Sequence, residues 1–195
     1  MKRHRRLLPR PSSTTHGAHT LGYVPLAVLA ALLLTVAPAS GAEIVPSVGL
    51  TRSVDGDQSK SNIGLALRGS LVPQLLQSEL GVSYRREEYY DGGLAVKQWP
   101  ITASLLVSPI PTLHGDAGVG WYNTTYNYKD PLLQDETKQE FGVHVGGGLK
   151  IPVAPGAAFD MTGRYVFLQS QESHLVPSKF DPDFWTLSLG LALRL

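Results

Sequence analysis

The chain contains no cysteine. That excludes a disulfide scaffold, a thiolate metal site, a cysteine nucleophile and lipidation at cysteine. Charge is scarce too: only 17 % of the 195 residues are Asp, Glu, Lys or Arg, and with 20 glycines this argues against a long coiled coil. An apolar share of 43 % is too high for a disordered chain. Acidic residues are missing altogether from positions 1–42, where Lys2, Arg3, Arg5, Arg6 and Arg10 supply all the formal charge. The rest of the chain holds 12 Lys/Arg against 16 Asp/Glu, an acidic body with no electrostatic case for nucleic acid. Past residue 42 there is no apolar run of about 18 residues, so no transmembrane helix is expected there.

What is present begins with an address. A basic start is followed by the uncharged run Val24–Val36 and by the mostly small residues Ala37-Pro38-Ala39-Ser40-Gly41-Ala42. This order is that of a cleaved secretory signal peptide over residues 1–42, with a mature start near Glu43 and a single domain over 43–195. The run is short of the roughly 20 residues a spanning helix needs, which argues against a retained anchor. Arg5-Arg6 lies too far from the run to act as a twin-arginine signal.

The body alternates with period two. Trp185, Leu187, Leu189, Leu191, Leu193 and Leu195 share one face, and Thr186, Ser188, Gly190, Ala192 and Arg194 share the other. Reading on in this way predicts eight strands, at 44–53, 61–71, 76–88, 96–107, 113–127, 138–151, 157–168 and 184–195. The connections alternate in kind. Three are short and carry proline, at 72–75, 108–112 and 152–156, and proline cannot continue a ladder. The other four, 54–60, 89–95, 128–137 and 169–183, are polar and mostly longer. Short turns at one end and long loops at the other is the layout of an outer-membrane barrel. The fold class read from this is an all-β, eight-stranded, antiparallel up-and-down transmembrane barrel.

The apolar face carries too many bulky side chains to fit inside eight strands, so it is assigned to lipid and the small, polar and charged face to the lumen. Aromatic residues cluster toward the long loops, and past residue 42 only Phe159 sits at the short-turn end. Tyr84, Trp99, Trp121, Phe141, Tyr165, Phe167 and Trp185 are read as one outer interfacial belt. On the other face Arg68, Glu79, Asp116, Lys150, Asp160, Arg164 and Arg194 mix both signs at similar depth. Buried charges must pair, so these residues are expected to form a plugging network. Arg68 and Glu79 are equidistant from the turn at Pro73 and Gln74 and are expected to face each other. Gly64, Gly81, Gly118, Gly120, Gly142, Gly146 and Gly148 are expected to leave room for a small cavity nearer the loops.

The stretch Phe141–Leu168, FGVHVGGGLKIPVAPGAAFDMTGRYVFL, resembles a hairpin of the small eight-stranded outer-membrane barrels typified by the membrane domain of OmpA and by OmpX. The close, FWTLSLGLALRL, resembles their C-terminal assembly signal, except that it ends in Leu195 where the family usually has an aromatic residue. The resemblance covers the body in layout and is specific in these two segments. It implies a monomer in the outer membrane of a diderm bacterium. The partners it implies are outer-membrane lipids, lipopolysaccharide, periplasmic chaperones and the barrel-assembly machinery.

Chemistry is sparse. His114, His144 and His174 lack metal-ligand spacing, and His144 reads as a hydrogen-bonding lumen filler. Ser170-Gln171-Glu172-Ser173-His174 holds the residue types of a hydrolase, but a triad needs partners brought together by the fold. Gly146-Gly147-Gly148 precedes no helix and is no phosphate loop. No catalytic residue, metal or cofactor is expected. The expected function is a non-enzymatic structural or surface-interaction role through the loops. The alternatives are a narrow conduit or binder for small, even apolar, ligands, and a lipid-modifying enzyme.

Overall fold

The computed structural model describes residues 41–54, 59–89, 94–128, 136–168 and 183–195. The signal segment up to residue 40, most of the four long connections and the Ser170–His174 cluster lie outside them. Among the described residues the strands are β1 (Glu43–Ser53), β2 (Lys60–Val72), β3 (Leu76–Tyr89), β4 (Leu94–Ile110), β5 (Leu113–Tyr128), β6 (Glu136–Ala154), β7 (Ala157–Leu168) and β8 (Phe184–Arg194). Each pairs antiparallel with the next, and β1 closes on β8 from Glu43↔Arg194 to Ser53↔Phe184. Closure leaves no open edge, the condition for a sheet in hydrocarbon, where no water can satisfy a free N–H or C=O.

Alternation places the side chains as it must on a pleated strand. Val48, Ile63, Val82, Val145 and Leu189 point outward and are exposed, whereas Arg68, Glu79, His144 and Asp160 point inward and are buried. The wall is therefore apolar outside and polar inside, the reverse of a soluble barrel.

Two strands run past the prolines expected to end them. β4 continues through Pro109 to Ile110, and β6 through Pro152 to Ala154. In each case the register shifts nearby, between Val107 and Ile110 and between Pro152 and Ala154. A bulge already frees a ladder position there, so the missing proline N–H costs no hydrogen bond. Tight turns then need few residues. In the turn between β2 and β3 Leu75 donates its N–H to the Val72 carbonyl at 3.1 Å, with Gln74 at φ 64°. Gly156 takes the comparable role before β7 at φ 79°.

Candidate functional site: a charged ladder across the lumen

Arg68 on β2 and Glu79 on β3 are register partners across the Pro73 turn. The Arg68 Nε–H donates to Glu79 Oε2 at 2.7 Å. Its guanidinium also reaches Asp160 on β7, with Nη1 2.5 Å from Oδ2 and Nη2 3.1 Å from Oδ1. Glu79 has a second partner, Arg164 of β7, whose Nη2 lies 2.6 Å from Oε1. Arg164 in turn donates from Nε to Asp116 Oδ1 of β5 at 2.9 Å. The order Asp160–Arg68–Glu79–Arg164–Asp116 alternates in sign from end to end. It joins strands β2, β3, β5 and β7, so it crosses the barrel instead of following the wall. Charge-assisted bonds of this kind, several of them shared, satisfy groups that would be costly to bury alone.

Hydroxyls and rings pack around the ladder. Thr162 donates to Asp160 Oδ1 at 2.8 Å, and His114 Nε2 lies 3.3 Å from the Thr162 hydroxyl. His144 is 1 % exposed; its Nε2 lies 2.8 Å from the Ser104 hydroxyl and 4.0 Å from Asp116 Oδ1. Ser104, His144 and Asp116 thus carry the three residue types of a hydrolytic triad. The arrangement is not one, because hydroxyl and carboxylate approach the same ring nitrogen. A relay needs the carboxylate on the other nitrogen, and His144 Nδ1 has no protein partner. No group of three His, Asp or Glu side chains suited to a metal occurs among the described residues.

Two of the residues expected in one lumen network stand apart from this ladder. Lys150 on β6 grips both oxygens of Glu43, at 2.7 and 2.6 Å, forming a separate pair near the short-turn end. Arg194 is the ladder partner of Glu43 but is exposed at the end of β8. With Lys150 holding both Glu43 oxygens and the rim open to water, Arg194 has neither the acceptor nor the burial that would draw it inward.

The glycines have a purpose other than the expected one. A Cβ at Gly118 would collide with the His144 ring, one at Gly146 with Arg164, one at Gly148 with His114, and one at Gly120 or Gly142 with the Tyr122 ring. Five of the seven glycines named from the sequence therefore make space for a large side chain on the same face, across the strand pair or, for Gly120, two residues along β5, and that side chain fills it. Gly64 and Gly81 instead line a cavity of about 120 Å³. Ser47, Thr51, Asn62, Gln98, Thr102 and Thr186 border it, and Arg68, Glu79 and Arg164 reach it from the ladder.

Apolar side chains close in on both sides. Val45, Ala158 and Ala192 cluster near the short-turn ends. Tyr122, Val166 and Phe184 cluster near the long-connection ends, with the Tyr122 and Phe184 rings edge to face at 5.6 Å and Arg85 over Phe184 at 5.0 Å. Neither cluster was singled out in the sequence. The signal for Tyr122 and Phe184 is parity, since each stands next to a tryptophan on the outer face, Tyr122 after Trp121 and Phe184 before Trp185. Among the belt residues Tyr84, Trp99, Phe141, Phe167 and Trp185 are exposed on the outer wall. Trp121 and Tyr165 are half-buried, Trp121 edge to face with Phe141 at 5.7 Å and Tyr165 with its ring 4.7 Å from Phe167.

Known structures share this architecture. The chain is similar to Ail, the attachment invasion locus protein of Yersinia pestis, with 18 % identity and a TM-score of 0.52 over 80 % of this chain and 97 % of that one. It is similar to Neisserial surface protein A, with 14 % identity and a TM-score of 0.57 over 80 % and 96 %. It is also similar to the outer membrane protein OprG of Pseudomonas aeruginosa, with 14 % identity and a TM-score of 0.54 over 80 % and 97 %. No curated protein matches the chain by sequence. The model of the outer membrane protein beta-barrel domain matches residues 26–194, nearly the whole chain. An eight-stranded barrel that is apolar outside, ion-paired inside and matched by that model belongs to the outer membrane protein beta-barrel domain family and resides in the bacterial outer membrane.

Proposed function

We propose that the protein is a non-enzymatic, closed outer-membrane barrel that serves as a rigid platform for surface contact through its four long connections. The observation that carries this reading is the ladder itself. Four ionic contacts span the lumen between β2, β3, β5 and β7, an arrangement that favours a stiff plug over an open pore. The connections are acidic in sequence: Asp55, Asp57, Asp91, Asp130, Asp135, Glu136, Glu172, Asp181 and Asp183 stand against Lys60, Lys129 and Lys179. Ail is seen with a heparin analogue, sucrose octasulfate. A polyanion of that kind is a poor match to these acidic connections, and a cationic surface or protein is a better one.

The test uses the full barrel in vesicles against immobilised polylysine and immobilised heparin. The expected result is salt-sensitive capture on polylysine alone, lost when Asp130, Asp135 and Glu136 become Asn, Asn and Gln. Capture on heparin, or none on polylysine, contradicts the proposal. The cavity of about 120 Å³ favours a second reading, a binder of small polar ligands. Calorimetric titration of the folded barrel with small polyols separates the two.

A further inference from the structure

We propose that the outer wall over β3 to β6 binds the phosphorylated sugar headgroup of one outer-leaflet glycolipid, with a phosphate held between Arg86 and Lys97. These four are the longest strands, at 14 to 19 residues against 11 to 13 for the others. Among the described side chains, the outward positions of the strands carry three charges, Arg52, Arg86 and Lys97, all of them positive. All three stand toward the long connections and beside the aromatic belt. Arg52 is the register partner of Trp185, Arg86 lies two residues beyond Tyr84, and Lys97 lies two residues from Trp99. Long connections face outside the cell in such barrels, so these cations stand at the headgroup level of the outer leaflet.

Arg86 and Lys97 are register partners, two like charges directly opposed on one face. Such a pair repels across the ladder, and an anion between them turns the repulsion into two attractions. Lys97 makes no ion pair or side-chain hydrogen bond among the described residues. The same row continues around the wall. Lys97 faces Thr125, and Thr125 faces Thr137 with the hydroxyls 3.0 Å apart. One step toward the membrane a second row runs Trp99, Asn123 and Gln139. There Asn123 donates to the Trp99 carbonyl at 3.3 Å, and Gln139 donates to Asn123 Oδ1 at 3.0 Å. The next row down, Ile101, Trp121 and Phe141, is apolar.

The order of these rows selects the occupant. Two opposed cations suit a phosphate. Hydroxyls and amides beside them, with an indole at the edge, suit a sugar ring. The apolar row beneath suits acyl chains. A glycerophospholipid has no sugar ring for Thr125, Thr137 and Gln139 to meet, and a soluble phosphate has no chain to lie on Ile101 and Trp121. A phosphorylated glycolipid of the kind that anchors lipopolysaccharide has all three parts in this order. The shelf is confined to one side of the barrel, because pairing of β6 with β7 ends at Gly142↔Leu168, short of both polar rows.

The experiment is native mass spectrometry of the folded barrel released from micelles doped equally with diphosphoryl lipid A and cardiolipin, which has two phosphates and no sugar ring. One lipid A should be retained in preference to cardiolipin. Arg86→Gln and Lys97→Gln should each lower that retention roughly fivefold, while Lys97→Arg should keep most of it. Arg52→Gln removes an outward cation that faces Trp185 instead of a second cation, and should leave retention intact. Heat-modifiable migration on a gel verifies that each variant is folded. Equal retention of the two lipids, no loss on Lys97→Gln, or an equal loss on Arg52→Gln would each overturn the site. Displacement of lipid A by inorganic phosphate at the same concentration would overturn it too, since the cations would then hold a free anion.

Discussion

At the scale of the residue, the direction of a side chain decides its cost. Leu189 faces outward and is 57 % exposed, while Ser188 beside it faces the lumen. Leu189→Arg should therefore destabilise the barrel by roughly 2–4 kcal/mol in lipid-vesicle folding titrations, and Ser188→Arg by clearly less, since its charge enters a polar interior. Equal losses would contradict the assignment of faces. Within the ladder, Glu79 is the shared acceptor of Arg68 and Arg164. Glu79→Ala takes one carboxylate from each of two buried guanidinium groups, leaving Arg68 with Asp160 alone and Arg164 with Asp116 alone, and should cost on the order of 3 kcal/mol. Adding Arg68→Ala should recover part of that loss, and a double-mutant cycle without coupling would show that the pair does not act as drawn. How much of the site could be read in advance follows from distance along the chain. The opposition of Arg68 and Glu79 is legible, because a short turn sets their register. The contacts of Arg68 with Asp160 and of Arg164 with Glu79 join residues 92 and 85 apart. Those depend on how the closed barrel brings opposite walls together, which alternation does not encode.

At the scale of the element, strands are legible because polarity changes at every residue, and their ends are not. Pro109 and Pro152 look like breakers, yet the bulges beside them let β4 and β6 continue. Glu43 shows the same limit at the other end. It begins β1, one residue before the first strand expected from alternation, and brings with it the partner of Lys150. Turns yield a sharper test. Gln74 holds φ 64°, a region that costs a residue with a Cβ about 1–2 kcal/mol, while Gly156 holds φ 79° without that cost. Gln74→Gly should stabilise the barrel by up to about 1 kcal/mol, after the greater freedom of glycine in the unfolded chain is counted. Gly156→Ala should destabilise it by about 1 kcal/mol or more. The same urea titrations read both variants, and a loss on Gln74→Gly would mean that the turn does not need the left-handed conformation.

At the scale of the whole molecule, the question is whether the barrel is a plug or a passage, and the ladder turns it into one of charge. Three carboxylates (Glu79, Asp116 and Asp160) alternate with two guanidinium groups (Arg68 and Arg164), and every neighbouring pair along the chain of contacts is bonded. Removing Arg68 breaks two of the four links at once and leaves Arg164 as the one guanidinium facing the three acids. The lumen then gains both space and negative charge, so Arg68→Ala should raise planar-bilayer conductance from near zero and make it cation-selective. Arg68→Ala with Asp160→Ala removes a bonded pair together. It opens as much space with less excess charge, so its conductance should be no lower and its preference for cations weaker. Arg194→Gln changes a charge outside the ladder and should leave conductance at the wild-type level. If Arg68→Ala stays closed, the ion pairs do not seal this lumen. The apolar cluster of Tyr122, Val166 and Phe184 is then what holds it shut, and Tyr122→Ala in the Arg68→Ala background becomes the variant that should conduct.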